Sequence, residues 1–189
     1  HPLNRRYAMN VAETASTFAE MIVADAAVEE ATNELEKIAL LEDKIQRSVA
    51  FFMNIHARYL FETRFYEERK NGVVSTKRIN EIMEAAQVEA HAGGLGETHP
   101  HFYITGVPFY NFPYTFGYLF SLSIYAKAKE EGTGFEEKYM ALLRDTAVMT
   151  VEDLAMKHLG EDITKQDFWL KGIALCEKDV VEFIALTSK

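Results

Sequence analysis

The first residues that could do chemistry form a short polar face near the start of the chain. Read as a helix, residues 11–22 bring four polar side chains to one side, because their spacing is i, i+3, i+4 and i+7. These residues are Glu13, Ser16, Thr17 and Glu20. Seven carboxylates but no Lys or Arg lie between Arg6 and Lys37. Carboxylates without neighbouring cations indicate a bound cation, such as a metal ion, although a solvated helix face would show the same four residues.

The second candidate is the aromatic segment 99–120, whose composition differs from the rest of the chain. It holds four of the nine tyrosines and three of the four prolines. Buried tyrosine hydroxyls need hydrogen-bond partners, so a row of them beside a histidine is compatible with substrate contact as well as with packing. For the phenylalanines, packing is the interpretation.

Two histidines of the same segment permit a further metal hypothesis. If residues 99–101 are extended, the His-x-His spacing places His99 and His101 on one side of the backbone. A weak zinc site there is ranked below an ordinary loop.

Composition excludes several classes of function. The formal net charge of −9 argues against non-specific nucleic-acid binding and against binding to an anionic membrane surface. No apolar run is long enough to span a bilayer. The single cysteine, Cys176, excludes an internal disulfide framework and favours a reducing compartment, so we predict a cytoplasmic protein.

Hydrophobic periodicity predicts an all-α fold, a bundle-like single domain over residues 1–189. The fold has long helices and one loop rich in Gly, Pro and aromatic residues, which could hold a short strand or hairpin near residues 102–105. On the stripe of the second helix, His56 is predicted to be a hydrogen-bonded core residue. The helices are predicted over residues 7–30, 33–70, 75–91, 113–131, 134–146, 150–159 and 165–186.

Two segments together resemble one known family. Residues 10–20, NVAETASTFAE, are similar to the segment that carries the third zinc ligand in oligoendopeptidase F and its thimet-oligopeptidase-like relatives. Residues 101–120, HFYITGVPFYNFPYTFGYLF, are similar to the substrate-binding loop and following helix of the same family. Their order and separation also match, so the resemblance covers essentially the whole chain.

The resemblance implies specific roles for these residues. Glu13 takes the position of the third zinc ligand, and Glu20 would orient a histidine ligand. The peptide and the oxyanion of its tetrahedral intermediate would be held by His101, Tyr110 and Tyr114, with Tyr118 as a further candidate. Loop movement over the substrate would depend on Gly93, Gly94, Gly96 and Gly106.

One family feature is missing from the sequence. The family's H-E-x-x-H motif, which supplies two histidine ligands and the general base, is absent, and His1 is the only histidine before Glu13. We therefore expect the C-terminal part of a zinc oligopeptidase, cut just after the motif helix. By itself it should neither hold zinc nor hydrolyse oligopeptides.

A non-catalytic helical module is the alternative from a different functional class. Removing the other part of a peptidase domain exposes apolar surface, and large apolar patches recruit partners. This alternative predicts self-association of the chain through that surface.

Overall fold

The computed structural model of the protein describes residues 8–91, 102 and 106–188. Within these residues the chain is helical and has no strand, which confirms the all-α prediction for this part. The predicted loop with its strand or hairpin lies mostly outside the described residues. The helices are α1 (Met9–Ala12), α2 (Thr14–Glu30), α3 (Glu34–Val49), a π-helical segment (Ala50–Asn54), α4 (Ile55–Arg69), α5 (Thr76–His91), α6 (Phe112–Glu131), α7 (Phe135–Asp145), α8 (Val151–Leu159) and α9 (Gln166–Thr187).

The chain divides into two compact units, which are described separately. The first unit comprises His1–Gln46 and Phe116–Lys189, and the second comprises Arg47–Thr115. The single-domain assignment stays a prediction. None of the described helices is long and apolar enough to cross a membrane.

Several helix ends lie where local chemistry predicts them. The Ser75 hydroxyl accepts the Arg78 N–H at 3.2 Å and caps α5. Thr150 caps α8 through the Asp153 N–H at 3.2 Å. Gly160 follows the last residue of α8 as its C-cap, and its φ of +67° lies in the left-handed region that glycine adopts without strain.

The long second helix departs from the prediction at its centre. Residues 34–69 are continuous helix as predicted, but Ala50–Asn54 form a π-helical turn in which the Ile55 N–H bonds to the Ala50 carbonyl. A π turn inserts an extra residue and rotates the following face of the helix. The buried residues after it are therefore Ala57, Phe61 and Glu62. His56 is exposed, so its assignment to the core is wrong.

In the second unit, α4 packs against α5 around a small aromatic core. Phe61, Ile82 and Ala86 are buried at its centre. The Phe102 ring packs edge-on against Phe61 and Phe65, with centroid distances of 4.9 and 4.8 Å. Such edge-to-face geometry is favourable for aromatic rings.

In the first unit, α6 is the central helix, and its middle is buried on all sides. Phe120, Ser121 and Ile124 have no exposed surface, which is the pattern of a helix enclosed by others. Its neighbour α9 approaches closely at Gly172, where a Cβ would lie 2.9 Å from the Ser123 backbone nitrogen. The core of the first unit also includes Phe18, Leu41, Leu142, Leu154 and Phe168.

A half-buried charge cluster joins four helices of the first unit. Asp25 of α2 accepts hydrogen bonds from Lys44 of α3 at 2.6 Å and from Lys129 of α6 at 2.5 Å. The Tyr125 hydroxyl donates to the same carboxylate at 2.8 Å. Lys44 also donates to Asp179 of α9 at 2.8 Å. We call these five residues the Asp25 cluster.

The cluster shifts the acidity of its members in opposite directions. Burial alone would raise the pKa of Asp25, but the hydrogen bonds from Lys129, Lys44 and Tyr125 lower it to about 2. Burial raises the pKa of Asp179, and the charge of Asp25 adds to this effect although Lys44 opposes it. Asp25 is therefore the carboxylate that the cluster stabilises in its charged form.

Replacing Asp25 should lower stability in a pH-dependent way. Since the folded-state pKa lies below its ordinary value of 3.8, the charged form stabilises the fold above that pH. This contribution is lost as the pH falls from 3.8 towards 2. We expect Asp25→Asn to reduce the free energy of unfolding by about 2 kcal/mol at pH 7, at 1.36 kcal/mol per pKa unit. Urea unfolding between pH 7 and pH 3 measures the difference in the free energy of unfolding between the variant and the original chain. This difference should become smaller below about pH 4.

Glu29→Gln is the matched control, because Glu29 is an exposed acid on the same helix. It should change stability by less than about 0.5 kcal/mol at every pH. A difference between Asp25→Asn and the original chain that stays constant from pH 7 to pH 3 would contradict the assignment.

Candidate functional site

Glu13 lies at a break between two helices. It ends α1 and precedes α2, with φ −88° and ψ 0°, in a sparsely populated region of backbone space. The predicted uninterrupted helix over 7–30 is therefore wrong at this residue. The turn is held by the Thr17 hydroxyl, which donates to the Glu13 carbonyl at 2.6 Å, and by the Thr17 N–H at 3.1 Å.

The Glu13 side chain remains partly accessible. One of its carboxylate oxygens accepts a hydrogen bond from Ser16 Oγ at 3.0 Å. Glu20, two turns along α2, is exposed. Thr17, by contrast, is buried. The polar face predicted from spacing is therefore partly exposed and partly buried.

Small residues of α6 bring its backbone close to this break. A Cβ on Gly117 would lie 3.1 Å from the Glu13 Cβ and 3.5 Å from the Asn10 carbonyl oxygen. Ser121 Oγ lies 2.6 Å from Thr17 Oγ1 and 2.9 Å from the Thr14 carbonyl oxygen. These contacts fix Glu13 against α6, a role for Gly117 that the sequence pattern did not indicate.

Tyr118, the next residue of α6 after Gly117, is buried in the first unit. Only 5% of its surface is exposed, and its hydroxyl lies 3.9 Å from Cys176 Sγ. These surroundings are typical of a packing residue. Its role in substrate contact stays a prediction.

Tyr110 and Tyr114 form a pair in the second unit. Their hydroxyls are 3.2 Å apart and their ring centroids 5.9 Å apart. Both side chains are partly exposed, and each hydroxyl lies within hydrogen-bond distance of the other. His101, Gly93, Gly94 and Gly96 lie outside the described residues, whereas Gly106 is exposed.

Two hydrogen bonds hold the segment that carries this pair. The Phe109 N–H donates to the Glu62 carboxylate at 2.7 Å. Thr115 Oγ1 donates to the Phe51 carbonyl, in the π-helical segment, at 2.6 Å. The sequence analysis did not select Glu62, although an acid among the aromatic residues of α4 was a signal that could have identified it.

Comparison with known proteins identifies the family of the chain. The family model of peptidase family M3 matches residues 2–175. The chain belongs to peptidase family M3. No curated protein and no solved structure matches it. The M3 peptidases are metallopeptidases.

The described residues contain no complete metal centre. Among residues 8–91, 102 and 106–188, no three His, Cys, Asp or Glu side chains are grouped closely enough to hold an ion. Glu13 offers a partly accessible carboxylate with a defined hydrogen bond, as a single ligand would. A catalytic zinc requires three protein ligands, which the described residues do not bring together.

Replacing Gly117 by alanine should destabilise the chain although alanine is the better helix former. The substitution gains about 1 kcal/mol of helix propensity. The new Cβ would crowd the Glu13 Cβ, which is fixed to the backbone and cannot turn away, and overpacking of this kind costs about 1–3 kcal/mol. We expect a net loss of about 1 kcal/mol in the free energy of unfolding, measured by urea denaturation.

Gly106→Ala is the control, since no atom lies within 4 Å of a Cβ built at that exposed glycine. It should leave stability unchanged or slightly raised. A stabilising effect of Gly117→Ala would show that α6 and the Glu13 turn have room to separate.

Proposed function

We propose that this chain forms part of a zinc-dependent oligopeptidase, of the oligoendopeptidase F type, that hydrolyses short peptides. Glu13 is one zinc ligand, and Glu20 orients a histidine ligand that another segment supplies. His101, Tyr110 and Tyr114 contact the peptide and stabilise the oxyanion. The observation that carries the proposal is the M3 family match across residues 2–175, which includes both segments.

The chemistry of the donors supports these assignments. Glu13 is held by its own backbone and by Thr17, so its carboxylate starts from a restricted position. Oxyanion stabilisation requires donors fixed before the charge develops, and the Tyr110–Tyr114 pair is a partly exposed phenol pair of this kind. The burial of Tyr118 favours packing as its main contribution. The single cysteine of the chain supports a cytoplasmic location for the enzyme.

The isolated chain should be inactive. It has no H-E-x-x-H motif, so it lacks two zinc ligands and the general base that the proposal requires. With added zinc, purified chain should not cleave a quenched-fluorescent oligopeptide. Cleavage that Glu13→Ala abolishes would overturn this expectation.

The reading frame upstream of His1 provides the decisive arm of the same test. An H-E-x-x-H motif encoded there would support the proposal, and we call the product that includes the motif the extended protein. In the extended protein, Glu13→Gln should weaken zinc binding by roughly a hundredfold or more, since even residues behind the ligands cost 10–100-fold when replaced. Titration with zinc and metal analysis measure this. Glu29→Gln, an exposed acid on α2, is the matched control and should bind zinc normally.

A binding or self-association module is the second candidate, because one face of α9 exposes large apolar side chains. Leu170, Val181 and Ile184 are each more than half exposed and share one side of the helix. If this face mediates association, light scattering after size-exclusion chromatography should give a mass above one chain, and Val181→Glu should reduce it. A monomeric mass at high concentration would count against the module.

A further inference from the structure

We propose that Glu62 is a positioning residue, which holds the turn before α6 so that Tyr110 and Tyr114 are set for peptide contact. The inference rests on the proposed function for the role of the two tyrosines. The holding contacts themselves are independent of that function, since all of them lie within the second unit.

Three residues of α4 form a seat for Phe109. Tyr59, Glu62 and Tyr66 are spaced i, i+3 and i+7 and therefore share one face of the helix. The Phe109 ring packs on Tyr59 and on Tyr66, with centroid distances of 5.4 and 5.6 Å. Between them, the Glu62 carboxylate accepts the Phe109 N–H at 2.7 Å. One helix face thus binds both the side chain and the backbone of this residue.

The backbone conformation of Phe109 is unfavourable by itself and requires stabilising contacts. Its φ of +56° is left-handed, and it is the one non-glycine residue with positive φ in the described part of the chain. A bulky side chain disfavours this conformation, which persists only where the surroundings impose it. Glu62 is 3% exposed, and a buried carboxylate in turn requires hydrogen-bond donors. The strained amide and the buried acid therefore stabilise each other.

The contacts that hold Phe109 also restrain the tyrosine pair, because Tyr110 is the next residue. Beyond Phe109 the chain enters α6 through the Phe112 N–H, which bonds to the Phe109 carbonyl at 3.3 Å. A second anchor follows where Thr115 Oγ1 donates to the Phe51 carbonyl at 2.6 Å. Both tyrosines lie between these two anchors, and both anchors end on one continuous run of helix, residues 50–69. Losing the first anchor should move Tyr110 and Tyr114 while α6 remains formed.

Hydrogen exchange tests the holding contact in the chain itself. We expect Glu62→Ala to speed exchange of the Phe109 amide by roughly tenfold or more, the loss of one charge-assisted hydrogen bond. Glu62→Gln retains an acceptor of the same size and should speed exchange by only a few-fold. Glu67→Ala is the control, an exposed acid of α4 paired with Lys70, and should leave exchange unchanged.

Unaltered Phe109 exchange in a folded Glu62→Ala variant would overturn the proposal. If that variant does not fold, Glu62→Met takes its place, because it removes the acceptor but keeps the length of the side chain, and unaltered Phe109 exchange in it overturns the proposal as well. Circular dichroism establishes folding in each case.

Kinetics of the extended protein separate this inference from the proposed function. Glu62→Ala should lower kcat/KM for an oligopeptide by roughly ten- to a hundredfold, as displacement of a catalytic group does, with zinc content unchanged and Glu62→Gln restoring most of the activity. Tyr110→Phe and Tyr114→Phe test the function itself. If they lower kcat/KM and Glu62→Ala does not, the positioning role is wrong and the function stands. If neither tyrosine variant has an effect, the proposed peptide contacts fail, and the positioning role fails with them.

Discussion

The close approach of α6 to α2 is the contact on which the first unit depends. A Cβ built on Gly117 would lie 3.1 Å from the Glu13 Cβ. Ser121 lies within hydrogen-bond distance of Thr17 and of the Thr14 carbonyl. Small side chains let two helix backbones meet, and the hydroxyls satisfy the polar groups that this contact buries. Larger residues at 117 and 121 would push α6 away and leave those groups unpaired. Glu13 therefore takes its position from α6 as much as from its own helix.

Charge reinforces this packing at the other end of α6. The Asp25 cluster connects α2, α3, α6 and α9 through Lys44 and Lys129. Removing ions from water is costly, so a half-buried cluster contributes less net stability than its short distances suggest. Its geometry is nevertheless specific, because Lys44 of α3 contacts Asp25 of α2 and Asp179 of α9 at the same time. Apolar packing supplies the driving force, and the cluster favours one register of the helices.

Local chemistry predicted the parts of the fold that depend on neighbouring residues alone. Ser75, Thr150 and Gly160 mark helix ends because each acts within a few residues of its own position. The π turn at Ala50–Asn54 was not predicted. Its Phe51 carbonyl accepts a hydrogen bond from Thr115, more than sixty residues away, and no local pattern contains such a contact. That turn also explains the error at His56, because the apolar stripe was extended through it at constant period. Glu13 was selected as a site residue from sequence, yet its helix break depends on contacts with α6 that no local pattern contains.

One irregular backbone position, Glu13, is a residue that the family resemblance selects, and a second, Phe109, is the neighbour of another. Glu13 occupies a helix break, Phe109 a left-handed conformation next to Tyr110, and the π turn receives the anchor of Thr115. The resemblance came from sequence segments and the irregularities from backbone geometry, so neither produced the other. Departures of this kind persist where the surrounding structure holds them in place. In the second unit the holding group is a buried carboxylate, Glu62. An alanine there would avoid the cost of burying a charge, but it would leave the strained amide of Phe109 without its acceptor.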